Sequence, residues 1–131
     1  RRRALGGIIV LGLLTLPLSL PLKALAGRPR PSAALDGVIV LEIASGSGFP
    51  SAHVLSYMAI VGFLGYLAAT RLRGPLRPPL VLLAAAILIL IGPARIYLGE
   101  HWFADVLASY ALGLTCLVGL IALHRRAGRE A

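Results

Sequence analysis

Long apolar runs separated by short polar and basic clusters dominate the chain. Four runs, at residues 4–22, 52–70, 79–98 and 102–123, are each about 20 residues long. At ~1.5 Å per residue, a helix of that length crosses the ~30 Å hydrocarbon core of a bilayer. Inside lipid every backbone N–H and C=O needs an internal partner, so these runs are predicted to be helices. The expected fold is an all-α, integral-membrane helical bundle with four transmembrane helices, forming one domain over residues 1–131. Pro17 and Pro21 are expected to kink and end the first helix, and Gly92-Pro93 to bend the third near its far end. The connection over residues 23–50 is longer than two neighbouring helices require, and long ordered loops are usually functional. Within it, the apolar stretch 38–44, with Glu42 as its one charge, is predicted to form a short helix at the interface or capping the bundle.

Composition agrees with a membrane setting. The 131 residues are 58% hydrophobic and 14% charged, against about 25% charged in soluble domains. The excess of 13 Lys and Arg over 5 Asp and Glu might suggest nucleic acid. The cations, however, lie in short clusters flanking apolar runs, not on one solvated face, so no nucleic-acid partner is expected. With the N-terminus inside, the inner face receives Arg1, Arg2, Arg3, Arg71, Arg73, Arg77, Arg125, Arg126 and Arg129. The outer face receives Lys23, Arg28, Arg30 and Arg95. Nine against four places both termini and the 71–77 loop in the cytoplasm. Asp36, Glu42, Glu100 and Asp105 then fall toward the outer side and Glu130 inside. Cys116, alone in an apolar run, reads as a packing residue, and His124 beside Arg125 as a polar anchor. Tyr97 and Trp102 read as interfacial aromatics. Arg1-Arg2-Arg3 before an apolar run resembles a leader, but no small-residue cleavage site follows Leu22. The missing initiator methionine points to a fragment or processed chain with further helices upstream.

The same topology gathers the chemically unusual residues at the outer face: Lys23, Arg28 and Arg30; Ser51 and His53 at the start of the second helix; Arg95, His101 and Asp105 around the last turn. Several cations beside a helix N-terminus make an anion site, and guanidinium matches phosphate oxygens in pairs. Gly46 and Gly48 permit close backbone approach, with Ser47 and Ser51 as donors. Four cations would repel a divalent ion, so neither metal nor cofactor is expected. His101 and Asp105 are four apart and would share a face on a continuous helix. A carboxylate on one ring nitrogen would fix the tautomer and free the other to attack phosphorus. His53 would protonate the leaving alkoxide, while Lys23, Arg30 and Arg95 offset charge in the transition state.

These residues resemble the motifs of the type 2 phosphatidic acid phosphatase superfamily: K-x6-R-P, P-S-G-H and S-R-x5-H-x3-D. Here they are Lys23 with Arg30-Pro31, then Pro50-Ser51-Ala52-His53, then Ala94-Arg95 with His101 and Asp105. The resemblance implies a metal-independent phosphoric ester or diphosphate hydrolase. It makes His101 the nucleophile, Asp105 its orienting partner and His53 the acid, with Lys23, Arg30, Ser51, Ala52 and Arg95 binding phosphate. Ala52 replaces the usual Gly but keeps its N–H; Ala94 replaces the usual Ser and loses a hydroxyl, worth ~1 kcal/mol. Membrane members commonly have six spanning helices, and the four here correspond to the motif-bearing last four. The implied substrate is a lipid phosphate or diphosphate, such as polyprenyl diphosphate, phosphatidic acid or phosphatidylglycerol phosphate, met at the periplasmic or exterior face of a bacterial-type plasma membrane. A head-group phosphotransferase of the same superfamily and a non-enzymatic anion transporter component are the rival readings. The transporter gives no reason for the His101–Asp105 spacing or for His53.

Overall fold

A computed structural model describes residues 15–34 and 37–129. The predicted first span is therefore described only from residue 15 onward, and Arg1–Arg3, Asp36 and Glu130 lie outside the described residues. All regular structure among the described residues is helical: α1 (Thr15–Ala26), α2 (Ala52–Arg71), α3 (Arg77–Tyr97) and α4 (Phe103–Ala127). The last three are long and apolar enough to cross a membrane.

Each helix ends where local chemistry requires it. Lys23 sits in the last turn of α1, and Gly27 closes that helix in the left-handed region at φ 52°, its N–H donating to the Lys23 carbonyl. Contrary to the sequence expectation, Pro21 does not end α1; it lies inside the helix, which continues to Ala26. Gly74 (φ 84°) turns the chain from α2 into α3, where proline opens the first turn without wasting a helical N–H. Gly99 (φ 74°) turns it from α3 into α4, and a Cβ there would stand 2.8 Å from the Ile39 carbonyl oxygen.

Stretch 38–44 is not a helix. It lies as extended chain and bends over the α3–α4 turn, with the N–H groups of Leu41 and Glu42 both donating to the Leu98 carbonyl. The stretch is apolar apart from Glu42, but its backbone is spent on covering that turn instead of forming a helix.

Helix α2 is the spine. It packs extensively on α3 and α4 and more lightly on α1, whereas α3 and α4 barely touch. Glycines make the close approaches: a Cβ on Gly113 of α4 would meet Met58 Cβ at 2.7 Å. Two small apolar clusters result, Val54, Met58 and Val106 toward the α4 N-terminus, and Ala59, Phe63 and Leu120 toward the other end. Helix α3 buries only Gly92, leaving Leu82, Ile89 and Leu90 more than 60% exposed. In water such a surface would drive aggregation; in a bilayer it is the solvated face.

Helix α3 runs unbroken through Gly92-Pro93, and this step has a specific partner. Pro93 has no N–H, so the Ile89 carbonyl loses its helical donor. The Tyr110 hydroxyl from α4 enters here, accepting from Gly92 N–H at 2.9 Å and donating to the Leu88 carbonyl at 2.7 Å, with Ile89 O at 3.3 Å. This is one of the few places where α3 meets α4, and it fixes the turn that carries Arg95.

Candidate active site

Buried polar groups concentrate at one end of the bundle: Ser51, Glu100, His101, Asp105 and Ser109 are all at most 4% exposed. The loop Gly46-Ser47-Gly48 organises them with three successive carbonyls. Gly46 O accepts from Arg30 Nε (3.1 Å), Ser47 O from Lys23 Nζ (2.8 Å) and Gly48 O from His101 Nδ1 (2.6 Å). The loop was expected to approach an anion directly; instead it holds the groups that would do so. Gly46 is at φ 77°, a conformation that suits glycine, and Gly48 N–H donates to the Arg28 carbonyl at 2.8 Å. Ser47 Oγ is used within the loop, accepting from Arg28 N–H and donating to Phe49 O. The Phe49–Pro50 peptide that leads into α2 is cis.

His101 is not on a helix. Helix α4 begins at Phe103, so the four-residue spacing to Asp105 does not place the two on one helical face. The orienting contact expected from Asp105 comes from Gly48 instead. With Nδ1–H donating to that carbonyl, the neutral ring has its lone pair on Nε2, and Nε2 lies 3.4 Å from Arg30 Nη1. Burial lowers the His101 pKa below its ordinary value, and Arg30 and Lys23 act in the same direction, against the Gly48 hydrogen bond and Glu100. The imidazole is thereby kept neutral, the form that can attack. Burial and Arg30 lower the Lys23 pKa likewise.

Asp105, fully buried, works at the third position of α4, where its Oδ2 accepts from Trp102 N–H at 3.2 Å. Its Oδ1 stands 3.2 Å from Arg28 Nε. Arg28, an outer-face cation outside the three motifs, is thus the counter-ion of a buried carboxylate. Arg95, in the last turn of α3, pairs with Glu100 through Nη1 and Oε1 at 2.9 Å. Arg30 Nη1 also donates to the Glu100 carbonyl at 2.6 Å.

Helix α2 starts inside this cluster. Ser51 N–H donates to Ser109 Oγ (2.8 Å), which donates to the Asp105 carbonyl (2.6 Å), tying the first turns of α2 and α4 together. Ser51 Oγ is buried with no hydrogen-bond partner among the described residues, a state that costs a buried hydroxyl ~1–3 kcal/mol. The next N–H groups, on Ala52 to Val54, begin the helix and have no carbonyl four residues earlier within it. His53 stands on this turn, exposed and without hydrogen bond or ion pair among the described residues. Ser109, Tyr110 and Glu100 are the functional neighbours that sequence reasoning did not assign; each looked like an ordinary helix or turn residue.

At the opposite end His124 is buried, not a surface anchor. Its Nε2 meets Arg71 Nη2 at 3.1 Å, and its ring packs edge-on against Phe63 and Tyr66. Trp102 is half-buried, with Nε1–H donating to the Pro29 carbonyl at 3.0 Å, while Tyr97 is 76% exposed.

Comparisons with known proteins bear on the family and the fold. The chain is 31% identical over 72 residues to phosphatidylglycerophosphatase B of Bacillus subtilis (strain 168), an alignment covering 53% of this chain and 36% of that protein. The crystal structure of a transmembrane PAP2-type phosphatidylglycerolphosphate phosphatase from Bacillus subtilis superposes with a TM-score of 0.77 at 24% identity, covering 91% of this chain and 58% of that one. The chain therefore spans about a third of the curated relative and somewhat over half of the structural one. The model of the PAP2 superfamily matches residues 3–129, almost the whole sequence, and this integral-membrane chain belongs to that superfamily.

Proposed function

We propose that the chain hydrolyses a lipid phosphate or diphosphate through a phosphohistidine on His101. The observation that carries this reading is the held ring: Nδ1 is locked on the Gly48 carbonyl and Nε2 faces Arg30 in a cluster of motif cations. Phosphate entering would take the Nη1 hydrogen of Arg30 now directed at Nε2, exposing the lone pair next to phosphorus. Lys23, Arg30 and Arg95, the Ser51 hydroxyl and the Ala52 N–H would bind its oxygens. Nε2 then forms the P–N bond as the P–O bond to the lipid breaks, and His53 gives its proton to the leaving alkoxide. Neutral His53 next takes a proton from water, which attacks phosphorus, breaks the P–N bond and releases phosphate. Asp105 supports this chemistry by holding Arg28 and the first turn of α4.

No metal takes part in these steps. Phosphatidylglycerol phosphate is the first substrate to test, because both relatives are named for it; phosphatidic acid and polyprenyl diphosphate share the required head group. The nine-to-four distribution of cations supports a site on the non-cytoplasmic face. The test is phosphate release by the detergent-purified chain, with chelator present, from a panel of these lipids. His101→Ala should lose at least about 10⁴-fold in rate while remaining helical, and acid-quenched wild type should carry an acid-labile, alkali-stable phosphoryl group. Full activity in His101→Ala would end the nucleophile assignment.

A further inference from the structure

The proposed phosphate site contains an acidic residue that its chemistry does not call for. Glu100 is 4% exposed, directly precedes His101 and touches both motif arginines: its Oε1 pairs with Arg95 Nη1 at 2.9 Å and its carbonyl accepts from Arg30 Nη1 at 2.6 Å. A buried carboxylate next to an anion site repels the anion, so its presence calls for a purpose. The pairing of charges supplies one. Arg28 is matched by Asp105 and Arg95 by Glu100. Lys23 and Arg30 donate to backbone carbonyls, and Arg30 also meets the His101 ring; among the described residues neither has a carboxylate at ion-pair distance, so two positive charges lack an ion-pair partner. That is the complement of one phosphate dianion. Arg95 keeps its Nε buried with no hydrogen-bond partner among the described residues. Its guanidinium is therefore fixed on one edge by Glu100, with a free N–H on another.

We propose that Glu100 is a positioning residue that fixes Arg95 for phosphate while its charge weakens the site's hold on the anion, so that inorganic phosphate leaves after each turnover. This rests on the phosphate-site reading above. It gives a specific expectation for Glu100→Gln, which keeps an oxygen for Arg95 Nη1 and removes the negative charge. Inorganic phosphate should bind about tenfold more tightly, the scale of one partly screened charge contact. Product inhibition should increase with it, and kcat should fall while KM falls or stays level.

Trp102 is the only tryptophan in the chain and adjoins His101. Its fluorescence reports phosphate binding without any turnover. The experiment titrates inorganic phosphate into wild type, Glu100→Gln and Glu42→Gln in detergent, with helicity and thermal melting checked for each. Glu42 is exposed on the neighbouring loop, and its variant should bind phosphate as wild type does, which separates a local effect from net charge. If Glu100→Gln does not fold, Glu100→Asn, uncharged and still offering Arg95 an amide oxygen, carries the same expectation. General damage to the site would weaken binding, so tightening is not a structural by-product. Equal or weaker phosphate binding in a folded uncharged variant overturns the proposal. Tightening in a protein that hydrolyses no lipid phosphate would leave the Glu100 assignment standing and remove the hydrolase reading. Hydrolysis with unchanged phosphate affinity would do the reverse.

Discussion

Replacing Gly92 with alanine should damage both the bundle and the site, for reasons that can be worked through in atoms. A Cβ at this position would stand 2.5 Å from Tyr110 Cε2, 2.6 Å from its hydroxyl and 2.7 Å from Val106 Cγ1. The ring and a β-branched side chain on α4 cannot both retreat without moving the helix. Such overpacking costs ~1–3 kcal/mol. Displacing the hydroxyl leaves buried backbone groups of α3 short of a partner, at ~1–3 kcal/mol. Alanine's helix propensity returns at most about 1 kcal/mol, so the net loss should be about 1–5 kcal/mol. Arg95 lies three residues on, ~4.5 Å along the axis, and its shift should raise KM. The assay is reversible unfolding in mixed micelles as the fraction of denaturing detergent rises, alongside lipid phosphatase kinetics. Gly119→Ala is the matched control: a Cβ there meets nothing within 4 Å, and stability should stay level or rise slightly. A Gly92→Ala protein as stable and active as Gly119→Ala would show that Tyr110 does not hold α3 in this way.

The pH dependence follows from the neutral histidine. With the His101 pKa lowered from its ordinary 6.5, the ring stays neutral at pH 7, and the acid limb of kcat/KM for the His53→Gln variant should lie below 6.5. A limb above 6.5 would contradict burial as the governing effect. The stability linkage has the same sign. Between the two values the unfolded chain binds more protons than the folded one, so the His101 contribution is complete above 6.5 and is lost as pH falls through the folded value. Melting temperature measured from pH 7.5 to 5 should therefore drop, and drop less in His101→Gln. Ser109→Ala should cost ~1–3 kcal/mol, because Ser51 N–H and the Asp105 carbonyl lose their shared hydroxyl. It should also raise KM as the first turn of α2 loosens, and an unchanged KM would argue against that tie.

The spanning helices were legible because lipid allows few alternatives: residues 52–70 and 79–98 were bounded to within two residues of α2 and α3. Spacing also brought Lys23, Arg30, Ser51, Arg95 and His101 to one end. What was hidden depended on where helices begin. The i, i+4 argument joining His101 to Asp105 assumes a helix through both. Trp102 turns extended just before Phe103, which hands the carboxylate to the helix cap and the ring to the Gly48 carbonyl. Backbone acceptors carry no signature in side-chain identity, so the role of loop 46–48 could not be read from its Gly-Ser-Gly composition. Similarly, nothing in Ser109 or Tyr110 marks a hydroxyl that bridges two helices 18 to 58 residues apart in sequence. Pro21 misled because proline forbids one N–H, not a helix.

The two ends of the bundle use the same pair of residue types to opposite effect. Arg30 faces His101 Nε2 at one end and Arg71 faces His124 Nε2 at the other, at 3.4 and 3.1 Å. Around His124 the neighbours are aromatic edges, and its Nδ1 is buried with no acceptor. That arginine is exposed and meets only the ring among the described residues. Around His101 a loop supplies three carbonyls, two helices begin within reach, and the carboxylates compensate two of four cations. An arginine–histidine contact is therefore no mark of a phosphate site. The difference lies in the backbone: helix N-termini leave N–H groups free where α2 and α4 start, whereas His124 lies in the final turn of α4, where free carbonyls would repel an anion. A His124→Gln substitution should accordingly lower stability without altering phosphate binding at Trp102.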